Sequence, residues 1–226
     1  MLIGLIGFLA VFIGFGKTLP PAIKDSSTPT ILYIHGAFAF GWLCLFFTQA
    51  SLIRYDNFRL HKTLGILGIF VAIGTALTML PAGIYQVQTE LKSGNGEASY
   101  SSMIGVTSSA FMFLSMVIAG LLTRKKPQIH KRLMLLATIL LLWVAWFRFR
   151  HYFPSIPRGD IWFGLVLPNT LIIASWIWDK RVNGRVNPVL GWVGALIIAE
   201  QTIETFMFDS SVWPPMGKKI FLLLTT

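Results

Sequence analysis

Long apolar runs alternate with short polar segments along the whole chain. Measured against the roughly 17 to 25 residues needed to cross hydrocarbon, they predict seven spans, at 1–15, 31–53, 63–84, 104–123, 133–153, 161–178 and 189–208. The first run is short, but it carries no basic region and no small-x-small cleavage site ahead of Lys17. It therefore reads as a retained span and not as a cleaved signal. None of the runs shows the period-two alternation of a membrane β-barrel, so helices are the expected spanning form. The predicted fold is all-α: one polytopic membrane domain of about seven transmembrane helices, with a core four-helix bundle made from spans two to five. After Pro214, Pro215, Lys218 and Lys219 comes an apolar stub, 220–224, too short to span.

Composition agrees with the pattern. The 226 residues are 54% hydrophobic and 12% charged, where a soluble domain carries about 25% charge. A net charge of +10 would point a soluble protein towards nucleic acid, but here the cations sit in short loops between spans. Arg54, Arg59 and Lys62 follow span two; Arg124, Lys125, Lys126, Lys131 and Arg132 follow span four; Lys180, Arg181 and Arg185 follow span six. Those loops hold eleven of the nineteen Lys and Arg, all on one side. The longer loop 85–103 holds only Lys92, opposed by Glu90 and Glu97. The positive-inside rule then predicts a bacterial inner-membrane protein with its N-terminus cytoplasmic and its C-terminus outside. Partners follow from this: a lipid bilayer and no nucleic acid. The single cysteine, Cys44, lies within a span and allows no intramolecular disulfide.

The stretch 124–154 organises the candidate chemistry. A basic collar and Pro127 precede His130, an uncharged run follows from Leu133 to Phe147, and Arg148, Arg150 and His151 close it. As one helix, His130 to His151 would cover about 31 Å, near the thickness of the hydrocarbon. The four histidines sort by depth: His61 and His130 at the cytoplasmic starts of spans three and five, His35 and His151 towards the outer face. Neutral imidazole is a common haem and metal ligand, so two layers of paired histidines are what two bis-His centres require. Each histidine alone equally suits a headgroup contact or a helix end. Leu60-His61-Lys62-Thr63-Leu64 and Ile129-His130-Lys131-Arg132-Leu133 echo one another, which makes spans two–three and four–five two hairpins of the same orientation.

A second constellation lies in span seven. Glu200 and Glu204 are four apart and share a helix face, and carboxylates within a span point to function. With His35, Arg148 and His151 they allow three arrangements. These are a metal site of His35, His151, Glu200 and Glu204, a proton path, or an ion pair between Arg148 and one glutamate. Lysine is absent from the spans, which excludes a retinal Schiff base. No His-Glu-x-x-His or Gly-rich phosphate loop occurs, so metalloprotease and nucleotide chemistry have no support. Pro81 and Pro168 predict kinks or ends in spans three and six.

The phrases His35-Gly36…Trp42, Leu60-His61-Lys62-x-Leu64-Gly65 and His130-Lys131-Arg132-Leu133-Met134 resemble a bacterial family of multi-span membrane proteins defined only as a domain of unknown function. The layered histidines are also similar to cytochrome b561-like di-haem bundles. That second resemblance implies haem b, or else a transition-metal ion, with His35/His151 holding an outer centre and His61/His130 an inner one. The protein would then move electrons across or within the membrane, between a quinone or other redox partner and an acceptor outside. Two alternatives remain open at this point. One is a proton- or ion-coupled transporter using Glu200 and Glu204; the other is a non-catalytic accessory subunit of a membrane complex.

Overall fold

The computed structural model describes Leu2 to Thr225, so Met1, counted above as the start of the first span, lies outside the described residues. The helices are α1 (Leu2–Gly16), α2 (Leu19–Lys24), α3 (Thr30–Arg54), α4 (Phe58–Lys92), α5 (Ser102–Leu122), α6 (Pro127–Phe147), α7 (Leu167–Asn183), α8 (Pro188–Met207) and α9 (Trp213–Thr225). Two 3₁₀ turns, Gly96–Ser101 and Arg148–His151, and a π-helical stretch, Asp160–Val166, extend α5, α6 and α7. Six of the resulting helices are long and apolar enough to cross a membrane, and the shorter α1 stands beside them. No strand occurs among the described residues. The expected all-α, roughly seven-helix fold is what the chain adopts.

Local chemistry sets the helix ends at the basic loops. Asn57 accepts the Leu60 N–H with its side chain and starts α4; Asn187 does the same for Val189 at α8. Proline stands in the first turn of both α6 and α8, where its missing N–H costs nothing. Gly184, with φ of 73°, ends α7 in the left-handed conformation that favours glycine.

The axis of the bundle is α6. Helices α1, α3, α5, α7 and α8 all pack on it, and Leu136, Ala137, Ile139, Leu140 and Leu142 are buried. Helices α3 to α6 close the expected four-helix core, pinned where Trp42 Nε1 donates to Thr138 Oγ1 at 3.1 Å. On α1, the glycines let its backbone approach closely: a Cβ at Gly14 would strike the Ala145 carbonyl of α6.

Three predicted boundaries move. Helix α4 continues through Pro81 to Lys92, eight residues past the predicted end, for a length of about 52 Å. The helix of span five stops at Phe147, and a 3₁₀ turn carries Arg148 to His151. The stub 220–224 belongs to an amphipathic 13-residue helix, α9, which packs on the Gly96–Ser101 turn and on α5. There Val87, Met103 and Phe221 form a second, small core at the end of the bundle away from the basic loops, the far end below. Ser101 Oγ donates to the Phe208 carbonyl at 2.6 Å, and Lys218 pairs with Glu97 at 2.6 Å. The Glu97 carboxylate holds the Lys218 ammonium above the ordinary lysine range.

At the basic end, Arg132 turns inward and pairs with Asp179 of α7, both almost fully buried. Asp179 also accepts from Asn183 Nδ2 at 2.8 Å and the Asn187 N–H at 2.7 Å, while Arg132 donates to the Gln128 carbonyl and Oε1, each at 2.7 Å. Removing one charge of such a pair leaves the other buried and uncompensated, at a cost of about 3 kcal/mol or more. Arg132→Leu and Asp179→Leu should each lower the unfolding temperature in detergent sharply, while the double variant recovers much of the loss. Additive losses in the double variant would show that the pair is not coupled.

Candidate functional site

The histidines assemble at one end only. His61 stands in the first turn of α4 and His130 in the first turn of α6, and their rings stand edge to face with centroids 6.5 Å apart. His130 Nδ1 lies 2.8 Å from the Gly120 carbonyl, and His61 Nδ1 is buried without a partner. At the far end His35 Nδ1 contacts Thr78 Oγ1 at 3.0 Å, within the α3–α4 pair. His151 is exposed on its 3₁₀ turn, within reach of the charges of Lys17, Arg148 and Arg150. Among the described residues no three His, Cys, Asp or Glu side chains converge as metal ligands. The proposed set of His35, His151, Glu200 and Glu204 is therefore not brought together. Arg148 does not pair with a glutamate either: its guanidinium lies over the Phe15 ring, 4.1 Å from the centroid.

The two glutamates sit elsewhere, and together. Along α8 the buried positions Leu190, Gly194, Ile197 and Gln201 form the stripe that faces the bundle. Asn169 of α7 donates to Gln201 Oε1 at 2.8 Å and fixes the rotation of α8. At 100° per residue, Glu200 and Glu204 fall on the edge of that stripe and are turned towards α5. Glu200 Oε1 accepts a 2.5 Å hydrogen bond from Ser108 of α5, and its Oε2 is buried without a partner. The carboxylate of Glu204 rests on Gly105, where any Cβ would collide with it. Gly105 is thus a seat for this side chain.

Because α8 leans on α6 and keeps only light contact with α5, a groove opens between α5 and α8. It encloses about 290 Å³, and Ile104, Leu196, Ile203 and Trp213 line it around the two carboxylates. No cation is among the charges acting on Glu200 or Glu204, and neither joins an ion pair among the described residues. A wider depression of about 520 Å³ at the far end carries Arg158, Asp160 and Asp209. Its open position and its Arg158–Asp160 pair at 2.6 Å leave little uncompensated charge there.

Sequence reasoning placed both glutamates on one face and missed their partners. Gly105 and Ser108 stand inside the predicted fourth span, 104–123, where nothing in the sequence alone marks them as partners of α8. Asp179 directly precedes Lys180 and Arg181, and its sequence position alone does not distinguish it. No protein-family model matches this chain, and neither a curated protein nor a solved structure matches it.

If Gly105 seats Glu204, Gly105→Ala should lower the unfolding temperature by several degrees. Adding Glu204→Ala should restore most of that loss, because the collision partner is gone. A Gly105→Ala loss unchanged by the second substitution would place the conflict elsewhere.

Proposed function

We propose that the protein is a cation carrier of the membrane, taking a proton or a small cation at Glu200 and Glu204. The observation that carries this reading is the pair of carboxylates on a spanning helix, beside an apolar groove, with no counter-cation. Leaving a carboxylate ionised and unpaired in hydrocarbon is costly, so the pair gains by binding a proton or cation. Release towards water at the far end, where α8 terminates, would complete a transfer step. With the basic loops on the cytoplasmic side of a bacterial inner membrane, the carboxylates stand in the outer half of the bilayer.

The test is charge displacement in proteoliposomes adsorbed on a sensing electrode, after a jump in pH or in sodium concentration. Wild-type protein should give a transient current for one of the two jumps. Glu200→Gln/Glu204→Gln should abolish it while the protein stays monodisperse. A current of equal size in the double variant would remove the glutamates from the transfer.

The contact between His61 and His130 favours a second reading, in which a His-bound group, haem b or a transition-metal ion, sits at the basic end. His61 Nδ1, buried without a partner, and His130 Nε2 are the ring atoms free to hold it. Such a group would supply electron transfer, and His61 and His130 would hold and orient it. A dithionite-reduced spectrum of protein purified without added metal should then show a band lost in His130→Ala. A colourless, metal-free and fully active preparation would contradict this second reading.

A further inference from the structure

The groove beside Glu200 and Glu204 is built for more than an inorganic ion. Its floor carries the two carboxylates, and its walls are apolar: Ile104, Leu196, Ile203 and the indole of Trp213. Leu196 and Ile203 are 59% and 52% exposed on the outer surface of α8, so in a bilayer the mouth of the groove faces lipid. The far-end side is covered. Helix α9 begins at Trp213 and is held down by Gly217, whose missing Cβ lets the helix lie on the Tyr100 carbonyl, and by the Lys218–Glu97 pair.

From this arrangement we infer that the groove binds an apolar organic ammonium that enters sideways from the lipid. The inference rests on the carrier reading above and names the substrate class of the same site. The cationic nitrogen would lie between Glu200 and Glu204, where the unpartnered Glu200 Oε2 gains a counter-charge. The hydrocarbon part would cover Leu196, Ile203 and Ile104, and the Trp213 ring adds a cation–π face at the closed end. A volume of about 290 Å³ is at the small end of the usual range for ligand pockets, which suits an amine with one ring or one short chain. A bare sodium ion would leave those apolar walls unused, and an anion would meet two carboxylates.

Equilibrium binding of radiolabelled benzyltrimethylammonium to the full-length protein in nanodiscs tests this, with neopentylbenzene, its uncharged carbon isostere, as competitor. Saturable binding at one site per chain is expected, weakened about tenfold or more in Glu200→Gln/Glu204→Gln. Trp213→Leu should weaken it about fivefold and Trp213→Phe less, while neopentylbenzene fails to compete. Leu196→Trp, which fills the groove, should block the probe. Equal competition by neopentylbenzene, or unchanged affinity in the double Gln variant, would overturn the inference. Absent probe binding with the glutamate-dependent current intact would overturn the inference alone; loss of both signals would overturn the carrier reading as well.

Discussion

The burial of α6 is the constraint from which the rest of the molecule follows. Lipid tails offer apolar side chains no incentive to leave them, so helices in a bilayer associate through close packing and scattered polar contacts. In this chain five helices find that packing on a single neighbour. Small residues make it work where backbones come close, as at Gly14 of α1 against Ala145 and at Gly194 of α8 against Ile172 of α7. With the middle of α6 engaged by apolar contacts and the single Trp42–Thr138 hydrogen bond, the charged side chains are left for its two ends and for the outer helices.

Each polar group then finds a distinct solution. At the basic end Arg132 meets Asp179, which is further satisfied by Asn183 and Asn187, so the buried charges are compensated. Between α7 and α8, Asn169 and Gln201 bond to each other and set the phase of α8. That phase turns Glu200 and Glu204 away from α6 and towards the loosely held α5. Among the described residues Ser108 donates to Glu200, and the Glu204 carboxylate rests in the space left at Gly105. An unpaired acidic pair beside an apolar, lipid-facing groove is the feature that packing leaves unexplained, and it is the basis for reading the protein as a carrier.

Much of the architecture was legible in the hydropathy pattern, because run length and the placement of cations depend on the bilayer and not on particular contacts. The echo at Leu60 and Ile129 places two His-bearing helix starts at one end of the bundle, and His61 and His130 stand edge to face there. The far-end histidines were not legible in the same way. Their depth along the chain was readable, but depth does not reveal azimuth, and His35 turns to Thr78 while His151 leaves the helix on a 3₁₀ turn. Azimuth also separates Lys131, which is exposed, from Arg132, which is buried. Adjacent cations in one loop look alike until the helix phase is known. Helix α9 was missed because span length was the criterion, and a short helix lying on the far end has no need to span.

The central claim is that Glu200 and Glu204 are uncompensated carboxyl groups reached from the lipid. Dicyclohexylcarbodiimide, a lipid-soluble reagent that couples to protonated carboxyl groups in apolar surroundings, addresses it directly. After brief treatment of membranes and mass-spectrometric mapping of all nine Asp and Glu, the account predicts modification at Glu200 or Glu204 ahead of every other carboxyl group, with a water-soluble carbodiimide giving the reverse order. Modification confined to water-facing groups such as Glu97, with α8 untouched, would contradict it.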